Sequence, residues 1–124
     1  MLNASKLIGF TATTNPTSAR KFYKDTLGLS LIEDNPFALV FDANGTMLRV
    51  QKVQAHSPAR HTVLGWDVAD IAATIRQMAK KGVRFERYDG LTQDSLGVWI
   101  SPAGAKVAWF NDPDGNILSL TQFP

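Results

Sequence analysis

Arg49 and Asp67 are the two charged residues of this 124-residue chain whose strand positions best suit them to chemistry. A guanidinium fork in a partly dry cleft can hold a carboxylate, a phosphate or an enolate oxygen through paired, charge-assisted hydrogen bonds. A carboxylate across the same cleft could take a proton, which makes Arg49 as electrophile and Asp67 as general base the candidate catalytic pair. The same two groups could instead neutralise each other as an internal ion pair. Removing either would then strand a charge and weaken the fold. Both roles stay open.

Strand alternation sets every second side chain on one face. It groups Ile8, Phe10 and Ala12; Met47, Arg49 and Gln51; Val63, Gly65 and Asp67; and Ile117, Ser119 and Thr121. Phe10, Gln51, Ser119 and Thr121 thereby join Arg49 and Asp67 as expected ligand contacts. Trp99 and Trp109 point away from their apolar neighbours and offer flat walls to a planar ligand, with core or dimer packing as the competing role. Trp66 shares a face with Leu64 and Val68 and is expected against a helix. A lining of apolar floor, amide, hydroxyls, cation and carboxylate suits a small-molecule pocket better than a dry core. His56 and His61, the only imidazoles, lie in or beside the middle of the chain and read as loop residues in solvent. With no cysteine, thiolate catalysis and Cys-based zinc or iron–sulfur sites are excluded.

The elements that position these groups are written twice. Asp42-Ala43-Asn44-Gly45 and the alternating run to Val50 recur seventy residues later as Asp112-Pro113-Asp114-Gly115 and the run to Leu120. Each copy reads as a hairpin turn feeding a strand. In the first half, Leu7 to Thr13 is a strand, and Asn15-Pro16 starts a helix bearing Ala19, Phe22, Tyr23 and Leu27 that Gly28 stops. Strands over 29–34, 37–42 and 47–53 follow. In the second, Thr62 to Val68 is a strand, and Asp70 caps a helix bearing Ile71, Ile75 and Met78 that Gly82 ends. Strands are then expected over 83–88, 97–101, 105–110 and 117–121. Segment 89–96, polar with Gly90, Gln93 and Asp94, is expected as a mobile loop able to cover a cleft.

The length fits a single domain with module 1 over 5–53, a linker over 54–61 and module 2 over 62–124. A composition 44% hydrophobic and 19% charged is that of an ordinary globular chain, and no apolar run approaches the roughly 18 residues of a membrane span. No signal peptide is visible, so a reducing cytoplasm is the expected compartment. Net charge is only +2, and the densest basic stretch, Lys80, Lys81, Arg84 and Arg87, sits at a helix end, where it answers the helix dipole. Neither nucleic acid nor membrane is expected as a partner.

The run Ala19-Arg20-Lys21-Phe22-Tyr23-Lys24-Asp25-Thr26-Leu27-Gly28-Leu29, the turn Asp112-Pro113-Asp114-Gly115-Asn116, and the second-module pieces Val68-Ala69-Asp70-Ile71 and Lys81-Gly82-Val83 resemble the vicinal oxygen chelate superfamily, the glyoxalase/bleomycin-resistance/dioxygenase group. The resemblance spans nearly the whole chain. It implies an α+β fold in which two βαβββ modules form a U-shaped, incompletely closed β-barrel with helices outside. It also implies a homodimer. Metal-dependent members place one ligand on the first and last strand of each module, usually His, Gln or Glu, donors that suit Zn, Ni, Mn or Fe. Those positions fall on Ile8, Arg49, Val63 and Ser119, which form no ligand set, so neither a metal nor any other cofactor is expected.

What the resemblance then implies is a metal-independent protein that binds a small molecule, leaning away from catalysis. An anionic or neutral aromatic ligand suits Arg49 and the tryptophans. Cationic bleomycin suits a chain of pI near 9.1 less well. The alternative is a lyase, isomerase or dioxygenase of the same superfamily, and a third reading is a vestigial pocket in an interaction module.

Overall fold

Asn15 begins the first helix as its sequence promises: its side-chain oxygen accepts from the Ser18 N–H at 3.2 Å, and Pro16 holds the first helical position. Helix α1 (Pro16–Lys21) then widens into a π-type turn, Phe22–Thr26, where the Leu27 N–H reaches back to the Phe22 carbonyl at 2.9 Å. Widening turns Tyr23 fully inward, where its ring meets Phe41 at 5.8 Å. Gly28, at φ 78°, ends the run in a conformation that costs glycine nothing.

The computed structural model describes residues 1–124, which divide into a first unit, Met1–Pro58, and a second, Ala59–Pro124. The first holds β1 (Ile8–Thr13), α1, β2 (Ser30–Asp34), β3 (Ala38–Ala43) and β4 (Thr46–Lys52). Its strands form one sheet in the order β1-β4-β3-β2, with β1 parallel to β4 and the other pairs antiparallel. The β3–β4 hairpin turns through Asn44 and Gly45 at φ 51° and 92°, the left-handed pair that a tight hairpin demands. Thr11, Thr13, Leu39, Phe41, Leu48 and Val50 are buried on the face that also takes Ala19 and Tyr23.

Asp34, at the end of β2, joins two other elements of this unit: its carboxylate pairs with Arg20 of α1 at 3.2 Å and with Lys52 of β4. The Lys52 hydrogen bond is the main cause holding the Asp34 carboxyl below its ordinary 3.8; partial burial opposes it, and the charges of Lys52 and Arg20 assist. A depressed carboxyl stabilises the fold above 3.8, and the contribution disappears as pH falls through the lower folded-state value. Asp34→Asn is therefore expected to lower the thermal midpoint slightly at neutral pH, with the gap to the native chain closing in acid and shrinking in salt. A gap that stays constant with pH would show that the pairs contribute nothing through charge.

The second unit repeats the plan with β5 (Thr62–Asp67), α2 (Ile71–Lys80), β6 (Trp99–Ile100), β7 (Lys106–Asn111) and β8 (Ile117–Gln122). The sheet order is β5-β8-β7-β6, again with its first and last strands parallel. Asp70 caps α2 by accepting from the Ala73 N–H at 3.0 Å, and Ile71, Ile75 and Met78 form the buried stripe. Gln122, on β8, accepts from the Ile71 N–H at 2.9 Å and so ties the helix start to the sheet. Both units are thus βαβββ, and the fold is α+β. No helix is long and apolar enough to cross a membrane.

Two expectations need correction. Residues 83–88 form no strand; Phe85 makes a single bridge to Phe110, and the Glu86 N–H reaches the Trp109 carbonyl at 2.8 Å. The edge of β7 is shared, because Trp99 and Ile100 occupy it further along at Val107 and Lys106. Two short segments divide an edge that one strand would otherwise fill. Segment 89–96, expected to be mobile, is pinned at its base. Gln93 Nε2 donates to the carbonyls of Glu86 and Gly97, Gln93 Oε1 accepts from the Tyr88 N–H, and Asp94 Oδ1 accepts from the N–H groups of Leu96 and Val98. A loop closed on itself by side chains of its own middle is a poor lid.

Candidate functional site

In each unit the helix covers one face of the sheet, and the expected site residues occupy the other. The first unit aligns them in rows across β1, β4 and β3: Ile8, Met47 and Asp42; Phe10, Arg49 and Val40; Ala12, Gln51 and Ala38. Phe10 and Ile8 are 50% and 46% exposed, so this face is apolar but open. Arg49 is half-buried among these side chains, and Gln51 is exposed. No carboxylate of the first unit lies within ion-pair distance of the Arg49 guanidinium. A half-buried cation on a mostly apolar face, with no carboxylate of its own unit at ion-pair distance, leaves its fork available to an anion supplied by a ligand.

A hollow of about 440 Å³ opens on this face, lined chiefly by Lys6, Ile8, Ile32, Val40, Asp42 and Met47. Lys6, Ile32 and Asp42 were not anticipated as lining residues. Of these, only Asp42 carried a sequence signal, as the Met47 partner implied by a tight Asn44-Gly45 hairpin. Arg49 and Phe10 lie in the next row along the strands.

The second unit collects five of the expected contacts. Gly65, Ser119 and Trp109 share one row, and Asp67, Thr121 and Val107 the next, with Trp99 beside Val107. Ser119 is buried between Trp109 and Gly65; a Cβ at position 65 would come within 2.8 Å of its Oγ, so glycine there leaves the hydroxyl its space. Trp109 contacts Trp99 at 6.1 Å between ring centres and Tyr88 at 5.6 Å edge to face. Its Nε1–H donates to Thr62 Oγ1 at 3.2 Å. Burial, and then the nearby charge of Glu86, push the Tyr88 phenol above its ordinary 10.0. Trp66 lies on the helix side, stacked on Phe110 at 6.4 Å.

In the second unit one register differs from simple alternation. A bulge at Val63 lets Thr62 pair with Ile117 while Leu64 pairs with Leu118, so Thr62 takes the place on the open face that Val63 was expected to hold. That is how Thr62 reaches Trp109. Neither histidine reaches these rows as part of a strand: His56 follows β4 near the end of the first unit, and exposed His61 has its Nδ1 3.1 Å from the Thr62 carbonyl.

Residues 10–120 match the family model described as the Glyoxalase/Bleomycin resistance protein/Dioxygenase superfamily. The chain belongs to this superfamily. Solved structures agree in fold. A glyoxalase family protein from Enterococcus faecalis is 20% identical with a TM-score of 0.77, covering 98% of this chain and 99% of its own. A bleomycin resistance determinant encoded on the transposon Tn5 is 18% identical with a TM-score of 0.75, covering 97% and 98%. A lactoylglutathione lyase from Agrobacterium tumefaciens is 16% identical with a TM-score of 0.71, covering 95% and 93%. No match was found among curated proteins. Likeness at these identities fixes the fold, which in this superfamily serves both enzymes and binding proteins.

The superfamily's metal-dependent members need two donors from each module. Here the first module offers Ile8, with no lone pair, and Arg49, a cation that would repel a divalent ion. The second offers Val63, or Thr62 through the bulge, and Ser119, whose neutral hydroxyls are poor ligands for Zn, Ni, Mn or Fe. A one-residue slip does not help, because Leu7, Gly9, Leu48, Val50, Leu64, Leu118 and Leu120 bring no donors. Nowhere do three or more His, Cys, Asp or Glu side chains gather into a metal-binding group. This is a superfamily member lacking the usual metal ligands.

Proposed function

We propose that the protein binds a small organic molecule without a metal, anchoring an anionic or neutral aromatic ligand at Arg49. The observation that carries this reading is the half-buried Arg49 guanidinium on an open, mostly apolar face, without an ion-pair partner in its unit, at a position that the family resemblance assigns to a metal ligand. In such a place the fork can hold a carboxylate by two charge-assisted bonds, while Phe10 and the neighbouring aliphatic side chains take the ring. Asp67 is also unpaired within its own unit and exposed, on a different sheet from Arg49. We also propose a homodimer, supported by the exposed apolar Leu7, Ile8, Phe10, Ile32 and Met47 of the first unit and testable by light scattering. A cysteine-free chain suits the reducing cytoplasm, where we place it.

Naphthoate is a suitable probe, read by tryptophan fluorescence and calorimetry. Arg49→Gln is expected to weaken naphthoate binding by roughly ten- to a hundred-fold, the loss of one charged hydrogen-bond pair. Binding of an uncharged naphthalene analogue should change little. Equal affinity for naphthoate in the native and Arg49→Gln chains would overturn the assignment.

A further inference from the structure

We propose that the open face of the second unit carries its own recognition site for a planar organic cation, formed by the rings of Trp99, Trp109 and Tyr88 with the Glu86 carboxylate at their side. The site belongs wholly to one unit and does not rest on the Arg49 reading.

The rings form one continuous wall: Trp109 stands in the middle, with Trp99 tilted against it at 36° and Tyr88 nearly perpendicular at 79°. Trp99 and Trp109 are half-buried and Tyr88 is 38% exposed, so ring surface remains available to a ligand. The one strong donor in the middle of the wall is occupied, since Trp109 Nε1–H is given to Thr62. What Trp109 presents is the electron-rich face of an indole, which attracts cations and offers nothing to anions.

Glu86 supplies the charge. It is half-buried beside β7, where its main-chain N–H bonds Trp109 and its Oε1 accepts from Asn111 Nδ2 at 3.4 Å. No cation lies within ion-pair distance of it. Its field reaches the phenol of Tyr88, which places the carboxylate's influence on the wall itself. The overall charge of +2 does not oppose this, because distant exposed charges are screened beyond about 8–10 Å while a neighbouring carboxylate is not. A flat cation lying on the indole with its charge toward Glu86 satisfies both groups. A protonated or N-alkylated heteroaromatic ring has that chemistry.

The test compares N-methylquinolinium with uncharged quinoline and with naphthoate on the full chain. The cation should quench tryptophan fluorescence with roughly three- to thirty-fold higher affinity than quinoline. Glu86→Gln should remove most of that preference while leaving quinoline binding in place, and Trp109→Leu should weaken both. Arg49→Gln should weaken naphthoate binding without abolishing that of N-methylquinolinium, which separates this site from the anion anchor. Equal affinity for N-methylquinolinium and quinoline, or a preference that survives Glu86→Gln in a folded variant, would overturn the proposal. Loss of cation binding on Arg49→Gln would overturn it as well.

Discussion

Phe110→Ala is expected to destabilise the protein by about 3–5 kcal/mol, enough to leave little of the stability typical of a small domain. Phe110 is fully buried, lies in β7 one residue before its end, and has aromatic rings on two sides: Trp66 at 6.4 Å and Phe85 at 5.5 Å. It also bridges to Phe85, the only ladder contact holding residues 83–88 to the sheet. Deleting the ring removes its own burial, opens a cavity between two residues that cannot collapse fully, and loosens the segment that carries Glu86 and Tyr88. Urea unfolding gives the number. Phe110→Leu, which retains most of the volume, should cost much less, and equal losses in both variants would show that the shape of the ring rather than its buried volume is what matters.

The two copies of the repeated turn should answer the same substitution differently. Asp112 is buried and its carboxylate accepts from the N–H groups of Asp114 and Asn116, both at 2.9 Å, and from Asn116 Nδ2 at 2.7 Å. Asn116 is buried with it. Asp112→Ala leaves those donors unsatisfied in a dry place and is expected to cost about 2–4 kcal/mol. Asp42, its repeat partner, is exposed and accepts from the Gly45 N–H at 3.0 Å, so Asp42→Ala should cost about 0.5–1 kcal/mol. Paired urea titrations decide it. Similar costs would mean that water replaces the Asp112 bonds as easily as those of Asp42.

That contrast also marks how far the sequence could be read. The repeat, the two caps at Asn15 and Asp70, and the strand faces that carry Phe10, Arg49, Trp109 and Ser119 follow from local rules: turn chemistry, capping and a period of two. What escaped was decided by neighbours in space. Residues 83–88 alternate like a strand, but their edge of β7 is partly taken by Trp99 and Ile100. Val63 alternates correctly, but a bulge hands its place to Thr62. Polar 89–96 looks loose by composition, yet Gln93 and Asp94 spend their side chains closing it. Glu86 gave no signal as a site residue because its closeness to Trp109 and Tyr88 exists only once the sheet is formed.

The central proposal is that Arg49 anchors a ligand at a position that the family resemblance assigns to a metal ligand. Its most direct test is the metal content of the purified chain after incubation with Ni, Zn, Mn and Fe(II) and removal of free ions. The positions Ile8, Arg49, Val63 and Ser119 predict no stoichiometric metal, and unchanged naphthoate affinity after chelation. One tightly bound ion per chain, with naphthoate binding lost when a chelator removes it, would contradict the account.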